Sequence, residues 1–185
     1  MGTRPEAIKM APVIHAVEAH PALESVVLST GQHRELLRQS LATFGVRADV
    51  DLQLMTHDQS LAGFAELALG AIRGALLELR PHLVLVQGDT TTACVTAIAA
   101  YRQGVPVGHV EAGLRSHDWQ NPVPEEMNRC AISAVADLHF APTRRARDAL
   151  LHEGAERGAG DVLHREVRRV GVRIEPERAD DVRVR

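Results

Sequence analysis

Carboxylates at the ends of apolar segments, and one lysine among many arginines, are the residues of this chain with chemistry to offer. In Gln87-Gly88-Asp89-Thr90-Thr91-Thr92 a carboxylate stands in a glycine turn that opens a helix. Glycine lets a backbone come close to a ligand, and the free N–H groups of a helix start favour an anion. Asp89 has two readings there, an acid–base group or the cap of that helix. His109-Val110-Glu111-Ala112-Gly113-Leu114-Arg115 begins on a strand, where alternation would put His109 and Glu111 on one face. A metal site needs further ligands at suitable spacing. The 10 histidines are scattered and supply none, so no metal is expected. Glu111 with Arg115 nearby reads as an acid–base group or as one half of a salt bridge.

Pro122-Val123-Pro124 stiffens the entry to a helix whose first turn carries Glu125 and Glu126. Such stiffening helps when a carboxylate must be held against a substrate. Acids in a first turn also simply answer the helix dipole. Gly2-Thr3-Arg4-Pro5-Glu6 with Lys9 forms a turn into another helix, and Arg4 and Lys9 near its positive end suit a phosphate or pyrophosphate. The glycine spacing is neither that of a P-loop nor that of GxGxxG. Lys9 is the single lysine beside 20 arginines. Genome composition explains the arginines and leaves Lys9 as chance or as a site residue.

The elements that carry these segments alternate. Residues 5–19 have helical apolar spacing, with Pro12 expected to kink the helix or divide it. Residues 23–29 read as a strand, 33–44 as a helix ended by Gly45, and 60–79 as a long helix stopped at Arg80-Pro81. Leu83–Gln87 is the continuous apolar run of a buried parallel strand. A helix over 92–102, a strand over 106–111, a loop over 113–123, a helix over 124–136, a strand over 138–141 and a helix capped by Thr143 follow. Repeated units of this length predict an α/β fold, a Rossmann-like parallel sheet with helices on both faces. Ligands in such sheets sit outside the carboxyl ends of the strands, where all these segments fall.

Composition narrows the function. With 185 residues, 45% apolar, the chain is long enough for one domain with a sizeable core. A net charge of -3 offers no footprint for nucleic acid. No apolar run approaches the roughly 20 residues of a membrane span, and MGTRPEAIKM lacks the apolar core of a signal peptide. Cys94 and Cys130 form no disulfide framework, as expected in a reducing cytoplasm. Residues 144–185 hold 11 of the 20 arginines. Within 162–172 a strand or a short helix could form, but the run to Arg185 is expected to be solvated.

GTRPEAIKMAPVI, TGQHRELL, VLVQGDTTT, PVGHVEAGLRS, PVPEEMNR and LHFAPT, in this order, closely resemble the non-hydrolysing UDP-N-acetylglucosamine 2-epimerases over residues 1–154. The resemblance implies one half of a glycosyltransferase-B type fold, with the active site between two Rossmann-like domains. It implies interconversion of UDP-GlcNAc and UDP-ManNAc for envelope polysaccharide precursors, in the cytoplasm, without cofactor or metal, by a homodimer that binds neither nucleic acid nor membrane. The C2 proton is removed while UDP leaves, and the two then recombine with the opposite configuration. By motif position Asp89, Glu111 and Glu125 match the family's catalytic carboxylates. Arg4 and Lys9 match its essential basic pair, and Arg115 joins them as substrate-binding. Gln32 and His33 match a regulatory UDP-GlcNAc site of bacterial members.

The chain departs from that pattern in three ways. An apolar strand is expected before GTRPE, without which neighbouring strands would keep unpaired backbone groups. The family's second domain, which grips most of the uridine diphosphate and supplies a catalytic histidine, is expected to be absent. Residues 155–185 form a divergent Arg-rich tail that a shifted reading frame would explain. Val123 for an aromatic and Gln120 for Tyr are smaller changes. An inactive fragment, or a half-domain that only binds nucleotide sugar, is therefore the alternative to an active enzyme.

Overall fold

The computed structural model describes residues 1–31, 34–56, 58–154 and 161–163. Gln32 and His33 lie outside them, as does most of the tail. The elements are α1 (Arg4–Glu18), β1 (Leu28–Ser29), α2 (Arg34–Thr43), β2 (Val50–Asp51), α3 (Leu61–Leu79), β3 (Val84–Gln87), α4 (Thr91–Arg102), β4 (Val107–Val110), α5 (Glu125–Val135), β5 (Leu138–Phe140), α6 (Arg144–His152) and β6 (Asp161–Leu163). All strand pairs are parallel, as expected of repeated crossover units.

The alternation of β3 decides which helices cover which face. Val84 and Val86 point into a core shared with Phe64 and Ile72 of α3, Ala97 of α4 and Ile132 of α5. Leu85 points the other way, against Met10 and Ile14 of α1 and Leu37 and Leu41 of α2. Phe64, Ile72 and Ile132 are fully buried, and each such side chain contributes about 2 kcal/mol relative to exposure. Helices thus lie on both faces, in the α/β arrangement that the periodicity predicts.

Three details differ from the periodicity. Pro12 lies inside α1 without dividing it; its neighbours Met10, Ala11, Val13 and Ile14 are all buried, and that packing holds the helix together across the missing N–H. The ladder of β1 is only two residues long because the Asp49 carboxylate, not a strand, accepts the Val27 N–H at 2.7 Å. Its partner β2 is equally short, and two residues carry no readable period. The strands also form two sheets, β1-β2 and β3-β4-β5-β6, and not one. Met1 lies alongside β1, its ammonium donating to the Leu28 carbonyl at 2.8 Å and its own carbonyl accepting from Thr30 N–H at 3.0 Å. Burial lowers the proton affinity of that amine, and the nearby Glu6 carboxylate opposes the shift.

Helix starts are set by side chains. Ser60, Thr90 and Thr143 each accept a backbone N–H three residues on, at 3.1, 3.0 and 3.1 Å. Gly113 is needed where α6 crosses the loop after β4, since a Cβ there would meet the Ala146 carbonyl oxygen at 2.1 Å.

Candidate active site

The carboxyl ends of β3 and β4 present the first group of charges. Strand alternation stops at Val110, and Glu111 turns to φ 66°, so it does not share a face with His109. Both Glu111 oxygens accept from the Lys9 ammonium, Oε1 at 2.7 Å and Oε2 at 2.5 Å. The Gln87 amide also donates to Oε2. The ion-pair partner of Glu111 is therefore Lys9, not the Arg115 close to it in sequence. Lys9 stays half exposed, and Arg4 is exposed one turn earlier at the start of α1.

Asp89 does not cap α4, because Thr90 does. Its carboxylate instead meets Arg129 of α5 at 3.0 Å, while Asn128 donates to its backbone carbonyl at 2.9 Å. Burial pushes the Asp89 carboxyl above its ordinary value; Arg129 and Lys9 oppose that, and Glu125 and Glu111 add to it. Those mutual effects mark Asp89, Glu111 and Glu125 as one electrostatic cluster. Glu125 Oε2 is buried without a hydrogen-bond partner among the described residues. Such an oxygen is placed to accept a hydrogen bond from a bound ligand.

Its neighbour Glu126 is different. It is buried and accepts the backbone N–H groups of Ser116 and His117 at 3.0 and 2.9 Å. Burial alone would raise its pKa, but those N–H groups, the Ser116 contact and Arg129 together bring it below the ordinary value. Glu6 plays the same part at the other end. Its Oε2 accepts from Gly2 N–H, Thr3 N–H and the Thr3 hydroxyl at 2.9, 2.8 and 2.8 Å, and its Oε1 from the Thr90 hydroxyl at 3.2 Å. It joins the Arg4 turn to the Asp89 turn.

Arg115 is turned elsewhere. Its guanidinium makes a two-pronged contact with Glu153 of the α6 end, both arms at 2.7 Å, and donates to Leu114 carbonyl and Ser133 hydroxyl at 2.8 and 3.0 Å. Only 2% of that side chain is exposed. His109 is buried, and its Nε2–H donates to the Gly88 carbonyl at 2.7 Å, steadying the turn that presents Asp89. Burial lowers its pKa to about 4, against a raising effect from that carbonyl.

The structure therefore gathers Asp89, Glu111 and Glu125 with Lys9, and Arg4 precedes Lys9 on the same helix. Reading the sequence missed Gln87, Asn128 and Arg129. Arg129 was within reach of spacing arguments, standing four residues after Glu125 on a helix; Gln87 and Asn128 reach partners distant in sequence. No helix among the described residues is long and apolar enough to cross a membrane.

These motifs recur in known proteins. Residues 15–171 match the family described as UDP-N-acetylglucosamine 2-epimerase. A UDP-N-acetylglucosamine 2-epimerase of Salmonella typhimurium is 49% identical over 152 residues, 82% of this chain and 40% of that one. The crystal structure of the UDP-GlcNAc 2-epimerase of Neisseria meningitidis bound to UDP-GlcNAc superposes with a TM-score of 0.79 at 46% identity, covering 82% of this chain and 42% of that one. That of Methanocaldococcus jannaschii, in complex with UDP-GlcNAc and UDP, gives 0.79 at 33% identity over 87% and 44%. The chain spans about 40% of the length of the curated relatives it matches. In fold, it is one half of a glycosyltransferase-B type structure. With the match covering most of the chain and the motifs clustered at the strand ends, this protein belongs to the UDP-N-acetylglucosamine 2-epimerase family.

Proposed function

We propose that this chain carries the N-terminal half of an active site that interconverts UDP-GlcNAc and UDP-ManNAc by elimination and re-addition of UDP. The observation that supports it is the cluster of Asp89, Glu111 and Glu125 around Lys9 and Arg129. The C2 proton of the sugar is not acidic, so a base and leaving-group stabilisation must act together. Asp89, Glu111 and Glu125 supply the carboxylates. Asp89, whose proton affinity is raised by burial, can carry a proton near neutral pH more readily than an ordinary aspartate. Arg4 and Lys9, at the start of α1, receive the diphosphate as its charge develops. Arg115, with its donors engaged, serves the site by tying the loop after β4 to α6. The roles of Gln32 and His33 in regulation follow the family pattern alone. The reaction takes place in the cytoplasm, where UDP-sugars are made.

The alternative is a half-domain that binds nucleotide sugar without turning it over. It is favoured by the pairing of Glu111 with Lys9 and of Asp89 with Arg129, since groups already engaged with one another can hold a ligand without reacting with it. Incubation with UDP-GlcNAc in D2O, followed at C2 by NMR, separates the two. Deuterium at C2 would establish the active reading. Binding of UDP-GlcNAc without exchange would establish the half-domain, and absence of both would remove the substrate assignment. Association of two copies is supported by α3, which leaves Leu61, Leu67 and Leu77 each about half exposed. Light scattering in solution tests it, and a monomer at high concentration would reject it.

A further inference from the structure

We propose that Gln87 is a positioning residue for Glu111: it ties down Oε2 and leaves Oε1 as the oxygen that exchanges a proton with the ligand. The proposal rests on the epimerase reading above.

Glu111 takes three donor contacts, unequally shared. Oε2 accepts from Lys9 at 2.5 Å and from the Gln87 amide, whereas Oε1 accepts from Lys9 alone at 2.7 Å. A carboxylate oxygen has two lone pairs, so Oε2 is saturated and Oε1 keeps one free. Lys9 alone would not fix this choice. It is a flexible ammonium touching both oxygens, and its side chain is 47% exposed. Gln87 is only 4% exposed and stands at the last position of β3, where packing locks its rotamer.

The parallel register explains why the contact forms. Gln87 lies opposite Val110, and Gly88 N–H donates to the Val110 carbonyl at 3.0 Å. Glu111 follows directly and adopts φ 66°, a left-handed conformation that a non-glycine residue keeps only when its surroundings impose it. The Gly88 side does not confine the carboxylate sterically. A Cβ added at Gly88 would still lie 3.6 Å from Oε2, an ordinary contact distance. The donors hold it instead. Because Gln87 and Asp89 are separated by one glycine, a single turn presents one carboxylate and aims another.

Lys9 is the single lysine of the chain and thus a unique spectroscopic probe of this contact. In protein labelled at lysine with 15N and 13C, the Nζ and Cε resonances report the ion pair, and Glu111→Gln supplies the position of a released ammonium. Gln87→Met keeps the shape without the donor, and Gln87→Glu replaces the donor by a competing acceptor. Both variants are expected to move the Lys9 signals away from wild type, the first toward the released position, with circular dichroism unchanged. At saturating UDP-GlcNAc, Gln87→Met is expected to slow C2 hydrogen exchange on the order of 10-fold with KM unchanged. Lys9 signals that coincide with wild type in both folded variants would overturn the proposal. Should wild type show no C2 exchange, the epimerase reading fails for this chain while the Lys9 signals still decide the positioning of Glu111.

Discussion

Two kinds of carboxylate stand side by side at the start of α5, and the same division separates the Glu6 turn from the strand-end cluster. Glu126 and Glu6 are buried and accept several donors each, two backbone N–H groups among them in both cases. Asp89, Glu111 and Glu125 meet side chains instead, or keep a lone pair without a partner. A carboxylate held by several fixed donors is locked in place, and is useful as a brace. One that meets only side chains, or keeps an oxygen without a partner, can change partners when a ligand arrives. The difference teaches that acids adjacent in sequence, with the same helix-dipole environment, can serve opposite ends.

The sharpest way to break this contrast is to remove each acid of the pair. Glu126→Ala is expected to destabilise the fold by about 3 kcal/mol, since it orphans buried N–H groups and Arg129. Glu125→Ala is expected to change stability by less than about 1 kcal/mol. Urea unfolding of both variants measures this, and equal losses would erase the distinction.

Acid probes the same region through His109, which is neutral and buried behind the Gly88 carbonyl. Its pKa is lowered from 6.5 to about 4. The unfolded chain therefore binds the proton first as pH falls, and stability is complete above pH 6.5 and lost toward pH 4. The loss reaches about 3 kcal/mol. Unfolding at pH 7.5 and 5 should show it, and a flatter slope in His109→Gln would assign it. A slope unchanged by that substitution would place the acid sensitivity elsewhere.

Arg115→Ala is expected to cost about 1–2 kcal/mol through the lost Glu153 and Ser133 contacts, with affinity for UDP unchanged. Calorimetry with UDP decides whether Arg115 braces or binds, and a weakened affinity at unchanged stability would return it to the substrate. The smallest structural effect belongs to Lys9→Met. An exposed pair contributes about 0.5 kcal/mol or less to stability, whereas affinity for UDP should fall roughly 10-fold.

Much of the scaffold was legible because its signals are local. Leu83–Gln87 read as a buried strand and was found as β3, and the Thr143 cap and the long helix α3 stand where composition placed them. The carboxylates of the site were legible as turn residues at strand ends. What escaped was the choice of partner. Asp89 with a cap and Glu111 with Arg115 are sensible pairings within a few residues, and Glu6 announces no partner at all. The observed partners, Arg129, Lys9 and the Thr90 hydroxyl, come from other elements. Likewise β2 and the short β1 depend on an aspartate side chain completing the ladder, which no period-two pattern announces.

Glu6 has a mechanical consequence. With one oxygen on Gly2 and Thr3 and the other on Thr90, it gives the turn before α1 and the turn after β3 a common datum. The helix that carries Arg4 and Lys9 and the turn that carries Asp89 are thereby joined through one buried side chain. The separation between charge that binds and charge that reacts is set through that shared contact, much as two instruments on a single mount stay aligned.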